Sequence, residues 1–194
     1  MIDAVPDLLA QRAALTPNRT ALIDHATGER LSFAALNTRA AQVAGLLLGE
    51  GLVAGDRVAL FARNSVAFFE LLFGCAKAGL VFVPLNWRMP LAELVPLSQD
   101  CAPKLIAYGE ADADRGPALA ERLGARCLNL SDPGPAGYAA RRDGALGASL
   151  DLPLLRGPAK VARIALPRQM RNVARKPVAP ERPDARKHPV QPRR

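Results

Sequence analysis

Residues 51–89 read GLVAGDRVALFARNSVAFFELLFGCAKAGLVFVPLNWRM, with two short apolar runs on either side of a longer apolar segment. The runs at 58–62 and 80–83 are bounded by turn residues, which predicts buried strands. Asn64 or Ser65 is placed to cap a helix between them. One face of that helix is predicted to carry Val66, Phe69, Phe73 and Ala76. The stretch therefore predicts a strand–helix–strand unit, as found in parallel sheets.

The chain before this unit also alternates between helix and strand patterns. Residues 5–15 predict a helix, and the runs at 21–24 and 30–31 flank a Thr-Gly turn, which predicts a hairpin. Ser32 is a candidate N-cap for a long helix that two glycines end. Apolar residues follow this serine at helical spacing: Leu36, Ala40, Val43, Ala44, Leu47 and Leu48.

The chain after the unit continues the alternation. A third helix is predicted from Pro90 to about Asp100, because proline is favoured in the first turn of a helix. Further strands are predicted at 104–108 and 126–130, with a short helix at 118–123 between them. The predicted fold class is α/β, with alternating helices and mostly parallel strands.

Composition divides the 194 residues into three segments. Residues 1–130 carry the helix and strand patterns, whereas 131–155 are rich in turn-forming and small residues and are predicted to be a linker. Residues 156–194 hold twelve Lys or Arg and two acidic residues, so the net charge of +8 arises entirely in this tail. The tail is rich in arginine and proline and lacks aromatic residues, which predicts disorder.

The composition also excludes several classes of protein. No apolar run approaches the roughly 18–20 residues of a membrane span, and the N-terminus has no basic leader, so neither a span nor a secretory signal is expected. With three cysteines, no CxxC pair and only two histidines, no zinc site is expected. Free thiols without a signal predict a cytoplasmic protein.

Few residues are candidates for catalysis. His25 lies beside the hairpin turn and His188 in the tail, and neither has a catalytic partner in the sequence pattern. Cys75 is interpreted as a small buried hydrophobic residue, and Asp56 as a turn residue before a strand. The glycines around Glu50 follow a helix and precede a strand, which is the wrong order for a dinucleotide-binding turn.

Three segments together identify a family. Residues 31–47, 51–89 and 97–108 resemble the N-terminal region of the AMP-forming adenylate ligases, which include acyl-CoA synthetases, luciferases and nonribosomal adenylation domains. The matching blocks occur in the expected order within about residues 5–130. The resemblance implies that residues 1–130 are part of the N-terminal domain of such a ligase.

Individual elements of the family can be read in the sequence. LSFAAL is similar to the element Leu-Thr/Ser-Tyr-x-Glu-Leu, with Ala35 in place of the glutamate that would complete a capping box. CAKAGLVFVPLN is similar to the element Lys-Ala-Gly-x-x-x-x-Pro-Leu, in which Lys77, Gly79 and Pro84 have structural roles. The ending NWRM is most like acyl-CoA synthetases of the fatty-acid type.

The resemblance implies a reaction. The family uses ATP and Mg²⁺ to convert a carboxylic or fatty acid to an acyl-adenylate and pyrophosphate, and then transfers the acyl group to CoA. Charge develops on phosphate oxygens, so fixed donors, Mg²⁺ and a lysine must face them. The family supplies these with a Ser/Thr/Gly-rich loop ending in Pro-Lys-Gly, an acidic strand and a C-terminal lysine, none of which occurs in the 194 residues.

The resemblance therefore implies no catalytic and no metal-binding residue in this chain, and no bound cofactor. Asn86 and Arg88 are the candidates for a position near the CoA or acyl entrance of full-length relatives. The leading hypothesis is a truncated or frameshifted acyl-CoA synthetase-like ligase, inactive alone, because the arginine- and proline-rich composition of 156–194 is typical of a shifted frame in GC-rich DNA.

An interaction module is the alternative hypothesis. The chain would then be half of a split ligase that a second chain completes, or a nonspecific polyanion binder that uses its basic tail. Specific nucleic-acid recognition is not expected, because the tail has no aromatic residue on which bases stack.

Overall fold

A computed structural model describes residues 7–145 of the chain. The strands are Thr20–Ile23 (β1), Arg30–Ser32 (β2), Arg57–Phe61 (β3), Val81–Pro84 (β4), Leu105–Tyr108 (β5) and Arg126–Asn129 (β6). The helices are Leu8–Leu15 (α1), Phe33–Gly49 (α2), Val66–Lys77 (α3), Leu91–Gln99 (α4), Arg115–Leu123 (α5) and Tyr138–Gly144 (α6). A 3-10 turn, Glu110–Asp112, follows β5. The alternation of helices and strands is as predicted.

Strands β3 to β6 form one parallel sheet in the order β4-β3-β5-β6. Val58 of β3 pairs with Phe82 of β4 on one side and with Leu105 of β5 on the other. Each connection between neighbouring strands contains a helix, as parallel pairing requires. The prediction of an α/β fold with a mostly parallel sheet is confirmed.

Helices cover both faces of this sheet. Val58 and Leu60 of β3 belong to a core with α2, α3 and α6, whereas Ala59 and Phe61 face a second core with α4 and α5. Side chains of a strand alternate between the faces, so both sets are buried. This explains why the strands read as continuous apolar runs.

The N-terminal elements pack on the outer side of α2. Strands β1 and β2 form the predicted antiparallel hairpin. Leu9 of α1 joins Leu36 and Ala40 of α2 in a small third core. Ser32 caps α2 as predicted: the amide of Ala35 donates to its hydroxyl oxygen at 3.2 Å. The serine cap therefore forms without the glutamate of a complete capping box.

The buried face of α3 differs from the prediction. Glu70, Leu71, Gly74 and Cys75 are buried, whereas Ala76 is exposed. The helix is apolar around most of its circumference and packs between two cores, so its periodicity gives no unique inward direction. The N-cap position is Ser65, but its side chain makes no capping hydrogen bond, so the predicted side-chain cap is absent.

Helix α6 lies in the segment that the turn-rich composition predicted to be a linker. Its first residue, Tyr138, is buried in the core formed with α2 and α3. The Tyr138 hydroxyl donates to Glu70 at 2.6 Å, and Arg142 Nη1 contacts both Glu70 carboxylate oxygens at 3.0 Å. Residues 138–144 are therefore packed on the domain by a buried carboxylate that the sequence pattern did not reveal.

The predictions for residues 146–194, including a disordered basic tail at 156–194, lie outside the described residues. None of the helices between residues 7 and 145 combines the length and the apolar character needed to cross a membrane.

Candidate functional site

The strand order places a topological switch point at the carboxyl edge of the sheet. Strands β3 and β5 are neighbours, but α3, which follows β3, and α5, which follows β5, cover opposite faces. In open α/β sheets, ligands bind where the connections diverge in this way. The loops that meet at this edge are 62–65 after β3, 85–90 after β4, 109–114 after β5 and 130–137 after β6.

An indole ring with two guanidinium groups occupies this edge. The guanidinium carbon of Arg63 lies 4.6 Å from the centroid of the Trp87 ring, and that of Arg88 lies 4.1 Å from it. Both arginines are exposed and Trp87 is half-buried. Within residues 7–145, neither arginine forms an ion pair. We call Arg63, Trp87 and Arg88 the carboxyl-edge cluster.

The two candidates from the sequence fall in this region. Arg88 is a member of the cluster. Asn86 shapes the turn that carries it: the Arg88 amide donates to the Asn86 side-chain oxygen at 3.1 Å, and the Met89 amide donates to the Asn86 carbonyl at 3.0 Å. Asparagine commonly forms such turns with its own following backbone. Asn86 therefore orients the loop, and the exposed Arg88 carries the positive charge.

A third arginine lies beneath the loop. Arg115 Nη1 donates to the Trp87 carbonyl at 3.2 Å and to Asp112 Oδ1 at 3.2 Å, and its Nη2 contacts the Met89 carbonyl. Its guanidinium carbon lies 4.8 Å from the ring centroid of Phe61. Arg115 therefore joins the ends of three neighbouring strands.

Asp112 is the buried acidic residue of this region. Burial raises the pKa of its carboxyl group, while the positive charges of Arg115 and Arg63 act in the opposite direction. Its Oδ1 pairs with Arg115, whereas Oδ2 has no hydrogen-bond partner among the described residues. The same loop also carries the exposed Glu110 and Asp114, so the edge is not uniformly positive. The two exposed guanidinium groups of the carboxyl-edge cluster are what suit an anionic ligand with a flat ring.

The other residues singled out in the sequence have structural roles. The Asp24 carboxylate caps the hairpin turn by accepting from the amides of Ala26 and Thr27, and His25 is exposed beside it. Asp56 accepts from the amide of Val53 at 3.0 Å, as expected of a turn residue. Cys75 is fully buried, and burial raises the pKa of its thiol, which keeps it unreactive.

Across residues 7–145, no group of three or more His, Cys, Asp or Glu side chains is placed to hold a metal ion. Arg63, Trp87, Asp112 and Arg115 were not found from the sequence. Their one available signal was their position just after predicted strands, where parallel sheets bind ligands.

Comparisons with known proteins identify the family. A family model for AMP-binding enzymes matches residues 9–153. The chain is 38% identical over 106 residues to long-chain-fatty-acid–CoA ligase FadD13 of Mycobacterium tuberculosis, which covers 55% of this chain and 21% of that protein. It is 36% identical over 129 residues to feruloyl-CoA synthase of Amycolatopsis sp, covering 64% of this chain and 26% of that protein.

A solved structure shows the same relationship. Apo MatB from Rhodopseudomonas palustris superposes with a TM-score of 0.57 at 34% identity, covering 74% of this chain and 28% of that chain. The chain thus spans about a quarter of the length of the relatives it matches. Because the family model covers well over half of its residues, the chain belongs to the AMP-binding enzyme family, in which its relatives include acyl-CoA ligases.

Proposed function

We propose that this chain takes part in the ATP-dependent formation of an acyl-CoA from a carboxylic acid, and that it contributes a binding surface for CoA. Two observations support this reaction class: the chain belongs to the AMP-binding enzyme family, and the two relatives described above are named as a CoA ligase and a CoA synthase. The observation that carries the proposal is the pair of exposed guanidinium groups on Trp87 at the carboxyl edge of the sheet.

The chemistry of CoA fits this cluster. CoA carries phosphate groups and an adenine ring at one end and its reactive thiol at the other. Arginine binds phosphate through charge-assisted, often paired, hydrogen bonds. The indole of Trp87 offers a flat surface for an aromatic ring. The cluster would therefore hold the nucleotide end of CoA, while Asn86 keeps the loop in shape.

The variants that test this role remove one positive charge each. We expect Arg63→Gln and Arg88→Gln to weaken CoA binding about ten-fold each, because each would lose a charged hydrogen bond to a phosphate. Calorimetric titration of the 194-residue chain with CoA measures the effect. The matched control is Arg19→Gln, which removes an exposed arginine from the segment before β1 and should leave the affinity unchanged. Equal losses of CoA affinity in all three variants would contradict a specific site, because they would reflect only the lower net positive charge of the protein.

ATP and Mg²⁺ belong to the proposed reaction, but we place their binding outside this chain. The phosphate loop, the acidic strand and the lysine of the family do not occur in its 194 residues. Transition-state charge on the phosphates would then meet no fixed donors. We therefore propose that these 194 residues alone do not adenylate, and that the groups that bind ATP and Mg²⁺ must be supplied from outside them.

Incubation of the purified chain with ATP, Mg²⁺ and a panel of carboxylic acids is expected to release pyrophosphate no faster than a protein-free blank. A coupled pyrophosphate assay measures the rate, with a full-length acyl-CoA ligase as the positive control. Release that requires both the acid and the protein would contradict the proposal.

We also propose that the protein acts in the cytoplasm. All three cysteines are free thiols, and the cytoplasm is the compartment that keeps thiols reduced.

A further inference from the structure

We propose that Arg115 and Asp112 are positioning residues that hold the loop 85–90 in the shape that presents Trp87 and Arg88 to a ligand. The part of this inference that concerns ligand binding rests on the proposed CoA site. The part that concerns the shape of the loop is independent of that site, because it follows from contacts within the protein.

The contacts of Arg115 are to main-chain atoms. Its guanidinium donates to the carbonyl oxygens of Trp87 and Met89, the residues directly before and after Arg88. Two bonds from one rigid, planar group fix the backbone on both sides of Arg88. The exposed arginine is thus carried on a loop that is anchored from below.

The position of Arg115 is electrostatically unfavourable for the helix alone. It is the first residue of α5, where the helix dipole disfavours a positive charge. The Asp112 carboxylate compensates by pairing with Arg115 at 3.2 Å; Asp112 is buried, whereas the Arg115 side chain is 29% exposed. A charged pair kept at this cost is better explained by its grip on the loop than by helix stability.

Arg115 also links the loop to the sheet. Its guanidinium lies over the ring of Phe61, the last residue of β3. Arg63 follows two residues later and lies over the Trp87 ring. Arg115 therefore contacts both the end of β3, which carries Arg63, and the loop after β4, which carries Trp87. Loss of Arg115 would therefore separate these two parts of the carboxyl-edge cluster.

The test uses Trp87 as its reporter, since it is the single tryptophan of the chain. We expect Arg115→Gln to raise the acrylamide quenching constant of Trp87 about two-fold, because a released loop exposes a half-buried ring. Arg115→Lys should not restore the wild-type value, because a compact ammonium group lacks the rigid planar fork with which the guanidinium reaches two separate carbonyls and a carboxylate. The matched control is Arg122→Gln, an exposed arginine in the last turn of the same helix.

A merely stabilising residue would change the melting temperature without changing the quenching of the folded protein. Identical quenching constants for wild type, Arg115→Gln and Arg122→Gln would therefore overturn the proposal. If Arg115→Gln does not fold, Asp112→Asn serves instead: it keeps the side-chain shape, removes the charge that orients Arg115, and should raise quenching in the same direction. Unchanged quenching in that variant would overturn the proposal too.

A CoA titration separates this inference from the proposed function. We expect Arg115→Gln to bind CoA about ten-fold more weakly than wild type, although we assign it no contact with the ligand. If wild type binds no CoA, the proposed function fails, and the quenching data alone decide the role of Arg115 in shaping the loop. Increased quenching with unchanged CoA affinity would overturn the positioning role in binding.

Discussion

Replacing Glu70 with alanine is expected to lower the free energy of unfolding by roughly 3–5 kcal/mol. Glu70 is 1% exposed and accepts hydrogen bonds from Tyr138, Arg142 and Arg39. Without its carboxylate, the buried Tyr138 hydroxyl loses its acceptor, and the largely buried Arg142 keeps only its pairing with the exposed Asp143, at 2.9 Å. Removing one partner of a buried ion pair costs far more than an exposed ion pair contributes. Chemical denaturation of the full chain measures the loss.

The matched control is Glu29→Ala. Glu29 also pairs with Arg39, at 2.7 Å, but its side chain is 41% exposed. Its loss should cost less than about 1 kcal/mol, as for other exposed ion pairs. Equally small losses for the two variants would contradict the description of Glu70 as the buried anchor of α6. Hydrogen exchange at 138–144 should accelerate in Glu70→Ala and stay unchanged in Glu29→Ala.

Replacing Gly74 with alanine is expected to destabilise the protein by roughly 1–3 kcal/mol, the usual cost of overfilling a packed core. A Cβ atom at this position would lie 2.5 Å from Val43 Cγ1 and 2.8 Å from Val43 Cβ. The nearest atoms are on the facing helix α2, so α2 and α3 would have to move apart. Alanine favours a helix over glycine by only about 1 kcal/mol, which does not offset the clash.

Gly49→Ala is the control for this variant. Gly49 is the last residue of α2, and a Cβ there would meet no atom within 4 Å. The same substitution should therefore be neutral or stabilise by up to about 1 kcal/mol. Thermal unfolding of both variants compares them directly. Stabilisation by Gly74→Ala of the size seen for Gly49→Ala would show that the helices do not approach as closely as described.

The strands were predictable because their signal is local. A fully buried parallel strand reads as a short apolar run between turn residues, and the runs at 58–62 and 104–108 do so. The inward face of α3 was not predictable, since cores lie on both of its sides. Helix α6 was missed because its anchor, Glu70, lies far away in sequence, and a charge in an apolar helix gives no hint of its partners.

The candidate site was predictable only in part. Arg88 and Asn86 were placed near a ligand entrance by the resemblance of the loop to a family element. Arg63 and Arg115 join them only because β3 lies between β4 and β5, and sequence patterns do not give strand order. The pairing of Asp112 with Arg115 joins residues three apart in the sequence, whereas the burial of Asp112 follows from the packing of the folded chain.

The most direct test of the account is the indole N–H resonance of Trp87 during a CoA titration. Because the chain has one tryptophan, this signal reports on the carboxyl-edge cluster alone. We predict that CoA shifts it with saturation, and that the shift needs higher CoA concentrations in Arg88→Gln because one phosphate contact is lost. An indole resonance that stays in place at CoA concentrations that saturate binding, or the absence of any binding, would contradict the assignment of this site to CoA.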